Sequence, residues 1–258
     1  SARYTHILKR DAIRSISLPE SASLGPSWSF GPMVFSPDGR RLAFAPYETV
    51  YGTPKYGFLK KPIYILDFPS LEYQTELNLD RPKEEPVGSG VDAILFSPDG
   101  KWLISCDDDG SGYCRNTRIT VWNLERQSSE ASVTATDQNG LNAKNLAISS
   151  DGKWLAATRK DNSVLSLHLW ALNLPMIGSQ QVIRVADDTV CNEPPTILFS
   201  RDAKSLFLVV QAYAPNDFQS FRGLITQISI PEGHVLSSRP LATEQGHSTW
   251  SDVSMSPD

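Results

Sequence analysis

Cysteine, methionine and histidine are scarce in this 258-residue chain, which holds 3, 3 and 4 of them. Three cysteines, Cys106, Cys114 and Cys191, cannot all pair with one another and cannot form a disulfide framework. No Asn-x-Ser/Thr acceptor occurs. Both shortages point to a reducing, intracellular compartment, cytoplasmic or nuclear. No apolar run approaches the roughly 18–20 residues of a membrane span, and the densest, Leu206 to Val210, is strand-sized, so a membrane is not an expected partner. An excess of basic residues is also missing. With Lys+Arg 24 against Asp+Glu 29 the net charge is −5, and a phosphate backbone, hence nucleic acid, is not an expected partner either. The chain opens with no apolar leader and without Met, the expectation being that it is a fragment of a longer chain. What remains, 40% apolar and 21% charged residues, is a soluble globular composition with room for one large domain or two small ones.

One segment recurs. Val34-Phe-Ser-Pro-Asp-Gly-Arg-Arg-Leu-Ala-Phe-Ala45 returns as Leu95-Phe-Ser-Pro-Asp-Gly-Lys-Trp-Leu-Ile-Ser-Cys106 and as Ala147-Ile-Ser-Ser-Asp-Gly-Lys-Trp-Leu-Ala-Ala-Thr158. A degraded copy runs from Leu198 to Val209, and a fifth begins at Val253 and stops at Asp258. The central aspartates, Asp38, Asp99, Asp151, Asp202 and Asp258, stand 61, 52, 51 and 56 residues apart. In each copy an alternating apolar run ends at Ser, and Pro presets φ for a tight turn in the first two. Gly39, Gly100 and Gly152 supply a left-handed residue, and a second alternating run follows Lys or Arg. This is a β-hairpin with a buried face. Where Ala203 replaces the glycine, the left-handed position costs about 1 kcal/mol more, so the fourth hairpin is expected to be the least regular.

Two further strand-like segments complete each unit. In the second unit they are Arg118 to Leu124 and Glu130 to Thr136, and in the third Val164 to Leu172 and Gln180 to Ala186. The first offers Pro62 to Phe68 and Glu72 to Leu77, the fourth Gly223 to Ile230 and His234 to Arg239. Four strands per unit without a useful 3.6-residue periodicity predict an all-β repeat protein.

The Ser-Pro-Asp-Gly-Lys-x-Leu hairpin and the third-strand segments Val121-Trp122-Asn123-Leu124 and Leu169-Trp170-Ala171-Leu172 resemble the WD40-type β-propeller family. The resemblance covers essentially the whole chain and implies one propeller domain over residues 1–258. Its four complete four-stranded antiparallel blades are expected at about 31–77, 91–136, 143–186 and 195–240, with partial blades at 5–18 and 250–258 and the ring left incomplete. The first and fourth units depart from the family's Trp-Asp pair, having Leu66-Asp67 and Ile228-Ser229. The family's Gly-His pair is missing from its usual places, Gly246-His247 being the one plausible copy, so its His–Asp hydrogen-bond network is expected to be mostly absent.

Other patterns fail as chemical sites. Aligning Asp107-Asp108-Asp109-Gly110 as a calcium loop puts Ser105 first and Asn116 twelfth, where acids are needed, so it reads as a turn. Cys106 and Cys114 lack a Cys-x-x-Cys partner set for zinc; thiols and a local disulfide both remain open. His6, His168, His234 and His247 have no metal spacing, and no Gly-x-Ser-x-Gly elbow provides a nucleophile. Trp102 with Trp154, and Trp122 with Trp170, recur at equivalent places and read as packing between blades. No catalytic, cofactor-binding or metal-binding residue is expected.

Strand alternation places first-to-second and third-to-fourth turns on one face of a propeller and the remaining connections on the other. The first group is short. The second reads as long loops: Pro46 to Lys61, Asp107 to Thr117, Gln211 to Arg222, Asn78 to Gly90, Asp187 to Pro194 and Leu241 to Thr249. Tyr47, Tyr51, Tyr56, Phe58, Lys60 and Lys61 sit in the first, and Tyr213, Phe218, Phe221 and Arg222 in the third. Aromatic and cationic residues dominate interface hot spots. The expected function is therefore a non-enzymatic scaffold binding a protein or peptide through this face. The alternatives are the propeller part of a larger enzyme, serine peptidase or lactonase-like, and a sensor region of a signalling protein.

Overall fold

The structure, a computed structural model, describes residues 28–50, 57–60, 62–79, 91–108, 116–136, 142–161, 164–186, 190–191, 195–214 and 217–241. These residues form eighteen strands and no helix. The first sheet contains β1 (Trp28–Phe35), β2 (Arg41–Val50), β3 (Gly57–Lys60), β4 (Ile63–Asp67) and β5 (Tyr73–Leu77). The second contains β6 (Val91–Phe96), β7 (Trp102–Asp108), β8 (Asn116–Asn123) and β9 (Ser128–Thr136). The third contains β10 (Asn142–Ile148), β11 (Trp154–Asp161), β12 (Val164–Asn173) and β13 (Met176–Ala186). The fourth contains β14 (Val190–Cys191), β15 (Thr196–Phe199), β16 (Ser205–Ala214), β17 (Asp217–Ser229) and β18 (Val235–Leu241). All pairings are antiparallel between successive strands. β3 and β4 both pair with β2, and β14 and β15 both pair with β16, so each pair is one interrupted strand of a four-stranded blade. The expected partial blades at 5–18 and 250–258 lie outside the described residues.

The blades stack face to face, and each interface is a separate apolar core. Between the first and second blades lie Ala43, Ile65, Phe96, Leu103 and Trp122. Between the second and third lie Ile104, Cys106, Ile119, Leu155 and Trp170. Between the third and fourth lie Ala156, Leu167, Leu206, Leu208 and Ile228. Strand period explains the division: in β11, Leu155 and Ala157 join one core and Ala156 the next. A sheet buried on both faces reads as a nearly continuous apolar run, which is why Leu206 to Val210 is so dense. The repeated tryptophans serve this stacking, with Trp122 and Trp170 buried and Trp102 and Trp154 packed alongside. β1, β6, β10 and β15 are successive neighbours on the inner side of the arc. Residues on or beside them, among them Pro32, Ile94, Leu146 and Ile197, line one cavity of about 220 Å³.

Candidate recognition face

The first-to-second turns define one face of the arc. In each, the Ser hydroxyl donates to the Asp two residues on: Ser36 to Asp38 at 2.6 Å, Ser97 to Asp99 at 2.5 Å, Ser149 to Asp151 at 2.6 Å and Ser200 to Asp202 at 2.7 Å. The same Asp accepts the amide of Arg40, Lys101, Lys153 or Lys204, and the Ser oxygen accepts the amide of the residue opening the next strand. Gly39, Gly100 and Gly152 have φ of 69°, 69° and 71°, as the turn requires. The fourth turn is not the least regular. Ala203 takes φ 56° and donates its amide to the Ser200 carbonyl at 3.0 Å, as the glycines do. The Ser–Asp bonds hold the turn, so a methyl group at the left-handed position is tolerated.

Successive tips touch. The Arg41 guanidinium donates to the Gly100 carbonyl at 2.5 Å, and the Ser150 hydroxyl to the Arg201 carbonyl at 2.7 Å. A Cβ on Gly152 would stand 3.6 Å from the Pro98 ring. The four tips therefore share one face, and β2, β7, β11 and β16 run from it to the other.

On that opposite face two of the expected loops are largely strand. β2 continues to Val50 and pairs with β3 in the register Tyr47↔Lys60, Glu48↔Leu59, Thr49↔Phe58 and Val50↔Gly57. On its other side β1 pairs through Trp28↔Glu48 and Ser29↔Tyr47. Pro46 sits inside β2 because the partner register shifts between Phe30 and Met33, a bulge of the kind that accommodates a missing amide donor. In the fourth blade β16 continues to Ala214 and β17 begins at Asp217, with Tyr213 opposite Phe221 and Ala212 opposite Arg222. β14 flanks them through Val190↔Tyr213 and Cys191↔Ala212. Tyr and Thr in the first extension and Phe and Tyr in the second favour a pleated ladder, a signal outweighed in the sequence by the adjoining Pro, Gly and Gln. Asp107 and Asp108 likewise end β7, and Asn116 and Thr117 open β8, so that connection is shorter than expected.

Of the predicted contact residues, Tyr47, Phe58, Lys60, Tyr213, Phe218, Phe221 and Arg222 are placed on these extended strands by their backbones. Tyr51, Tyr56 and Lys61 lie outside the described residues, as do Cys114, His6 and His247. Cys106 is a buried core thiol. His168 is buried, hydrogen-bonded to Gln180 and Ser166, with its ring 6.0 Å from that of Trp170. Among the described residues no three His, Cys, Asp or Glu side chains gather as a metal site. Sequence reading missed one buried bond, Trp122 Nε1 to Ser105 Oγ at 2.8 Å. The signal was available, since Ser105 stands two residues beyond the Leu103 that pairs with Trp122.

Residues 85–123 match the family described as WD domain, G-beta repeat. No curated protein sequence matches the chain. Among solved structures it is similar to TolB from Acinetobacter baumannii, with a TM-score of 0.52 and 21% identity over 84% of this chain and 44% of that one. It is also similar to a protein described as a dipeptidyl aminopeptidase IV from Bacteroides ovatus, with a TM-score of 0.55 and 12% identity over 81% of this chain and 35% of that one. The chain thus spans less than half the length of either. Identities this low show the fold alone, which with the blade geometry is a β-propeller, and its WD40-like character rests on the match over residues 85–123.

Proposed function

We propose that this propeller is a non-enzymatic scaffold that binds a protein or peptide through the face opposite the Asp-bearing turns. The observation that carries the reading is the pair of strand extensions on that face, which hold an aromatic and cationic sequence on paired backbone instead of slack loop. Presentation on a ladder lowers the ordering cost of binding. A second reading rests on the similarity to the dipeptidyl aminopeptidase IV structure. In it the blades accompany a hydrolase domain in a longer polypeptide and shape access to it; a sensor role in a signalling protein is the third.

The test is a pull-down with the full-length protein. Replacing Tyr51, Tyr56 and Phe58 together by Ala is expected to remove the partner. Truncating one hot-spot aromatic costs about 2 kcal/mol or more, roughly thirtyfold in affinity. Lys101→Glu with Lys153→Glu, on the tight-turn face, is expected to change little. Partner loss from the lysine pair alone would move the site to the turn face.

A further inference from the structure

The outer strands β5, β9, β13 and β18 each leave one edge of their blade without a neighbouring strand among the described residues. Such an edge is a template for another chain, and proteins blunt it with short strands, charge or proline. β5 has five residues and carries Glu76. β18 exposes Val235 and Leu236 but carries Arg239 and Pro240. β9 exposes Ser129, Glu130 and Ser132. β13 lacks these devices. It runs 11 residues, Met176–Ala186, with Arg184 as its one charge and no proline. Met176 and Val182 are 60% and 58% exposed on it. Its β-branched Ile177, Val182, Ile183 and Val185 suit a pleated ladder.

The register of β13 against β12 is regular from Gln180↔Trp170 to Arg184↔Ser166 and shifts on either side. The flat part of the edge is therefore five residues long and centred on Val182. A strand that pairs antiparallel with its own copy must oppose residues whose backbone groups point alike, so the two-fold axis passes through one residue position. An axis at Val182 uses all five residues: Val182 meets Val182 of the second copy, Gln181 meets Ile183, and Gln180 meets Arg184. No like charges meet, and each exposed valine is covered by its equivalent. Moving the axis one residue either way leaves three residues of the regular run paired, and moving it to Arg184 opposes two arginines. We propose that β13 is a self-association edge, where two copies of this chain join across a two-fold axis at Val182 and their third blades become one continuous antiparallel sheet. The pairing is isologous, so it closes at two copies. It does not depend on the partner proposed for the face opposite the turns, and it inverts one copy relative to the other, so those faces point in opposite directions.

Sedimentation velocity of the full chain over a concentration series tests this. A monomer–dimer equilibrium in the micromolar range is expected, because an edge contact is smaller than a standard stable interface. Val182→Lys sets two like charges opposite each other and is expected to weaken the dimer at least about tenfold with an unchanged thermal midpoint, since the side chain is exposed. Leu236→Lys, on the edge strand β18, is expected to leave the dimer as it is. Cross-linking keeps the test open should Val182→Lys fail to fold. Under oxidation Val182→Cys is expected to give a disulfide-linked dimer, and Arg184→Cys none, because its two copies would lie four residues, about 13 Å, apart along the pair. A chain that stays monomeric throughout, a dimer that survives Val182→Lys or falls with Leu236→Lys, or equal cross-linking at both positions would overturn the proposal.

Discussion

Asp99 feels two opposing influences. Burial pulls its carboxyl up, but the Ser97 hydroxyl, the Lys101 amide and the Lys101 charge outweigh it, and the result lies below the ordinary carboxylate range. Asp151 repeats the pattern with Ser149 and Lys153. Asp38 and Asp202 are lowered chiefly by the hydroxyls of Ser36 and Ser200. A carboxyl depressed in the folded state leaves the unfolded chain to take up protons first on acidification. These four therefore contribute fully above the unfolded value of about 3.9, and the contribution disappears as pH falls through the folded values. Urea midpoints measured downward from pH 6 should fall steeply near pH 4 and below, and less steeply with all four Asp replaced by Asn. Glycine at the same turns allows a sharper contrast. A Cβ on Gly39 meets nothing within 4 Å, whereas one on Gly100 stands 3.1 Å from Arg41 Nη2. Gly39→Ala is expected to cost about 1 kcal/mol of backbone strain, and Gly100→Ala more, because it also presses on the Arg41 contact; thermal midpoints would rank them. Tyr64 offers the reverse case. It is fully buried, its hydroxyl has no hydrogen-bond partner among the described residues, and burial, followed by the nearby Glu76 and Tyr73, pushes it up to about 12. Tyr64→Phe keeps the ring against Phe44 and is expected to raise the thermal midpoint, since an unsatisfied buried hydroxyl costs about 1–3 kcal/mol.

At the scale of the strand, Ser105 and Trp122 tie β7 to β8 through a buried bond. In the third blade the equivalent place of Ser105 is taken by Ala157, and Trp170 lies beside His168 instead. Ser105→Ala strands the indole N–H and is expected to cost about 1–3 kcal/mol. Trp122→Phe removes the other partner, so the double variant should be more stable than the two single losses added together, as denaturant midpoints would show. The hairpins were legible because four short-range features coincide in each: a period-2 apolar run, Ser, Asp and a left-handed residue. The extensions β2–β3 and β16–β17 were not, because Pro46 and Gln211 interrupt the local pattern while the pairing that rescues them comes from β1 and β14, distant in sequence. The face bearing the candidate contacts followed from strand alternation alone.

For the whole molecule, burial peaks in the middle strands of the blades and falls toward both edges, the inner β1 leaving Met33 and Phe35 about half exposed. β12 alternates between two cores and is almost wholly enclosed, while β18 leaves Val235 and Leu236 about half exposed. Repeat arrays open in proportion to local and neighbour contacts. Native-state hydrogen exchange should therefore release the β18 amides well before those of β11 and β12. Equal protection would mean that the blades open only as a unit.

Four side-chain bonds between blades, among the described residues, share a direction. Arg41 donates to Gly100 and Thr75 to Gln127, each from the first blade to the second. Ser150 donates to Arg201 and Gln181 to Glu232, each from the third to the fourth. In all four the earlier blade gives the proton and the later one receives it. Such head-to-tail contacts are heterologous: repeated, they close into a ring or wind into an open helix, and they do not generate two-fold pairs. Any further blade stacked on the fourth by the same rule meets a donor side, so the polarity of the arc fixes in advance which side of a newcomer can dock.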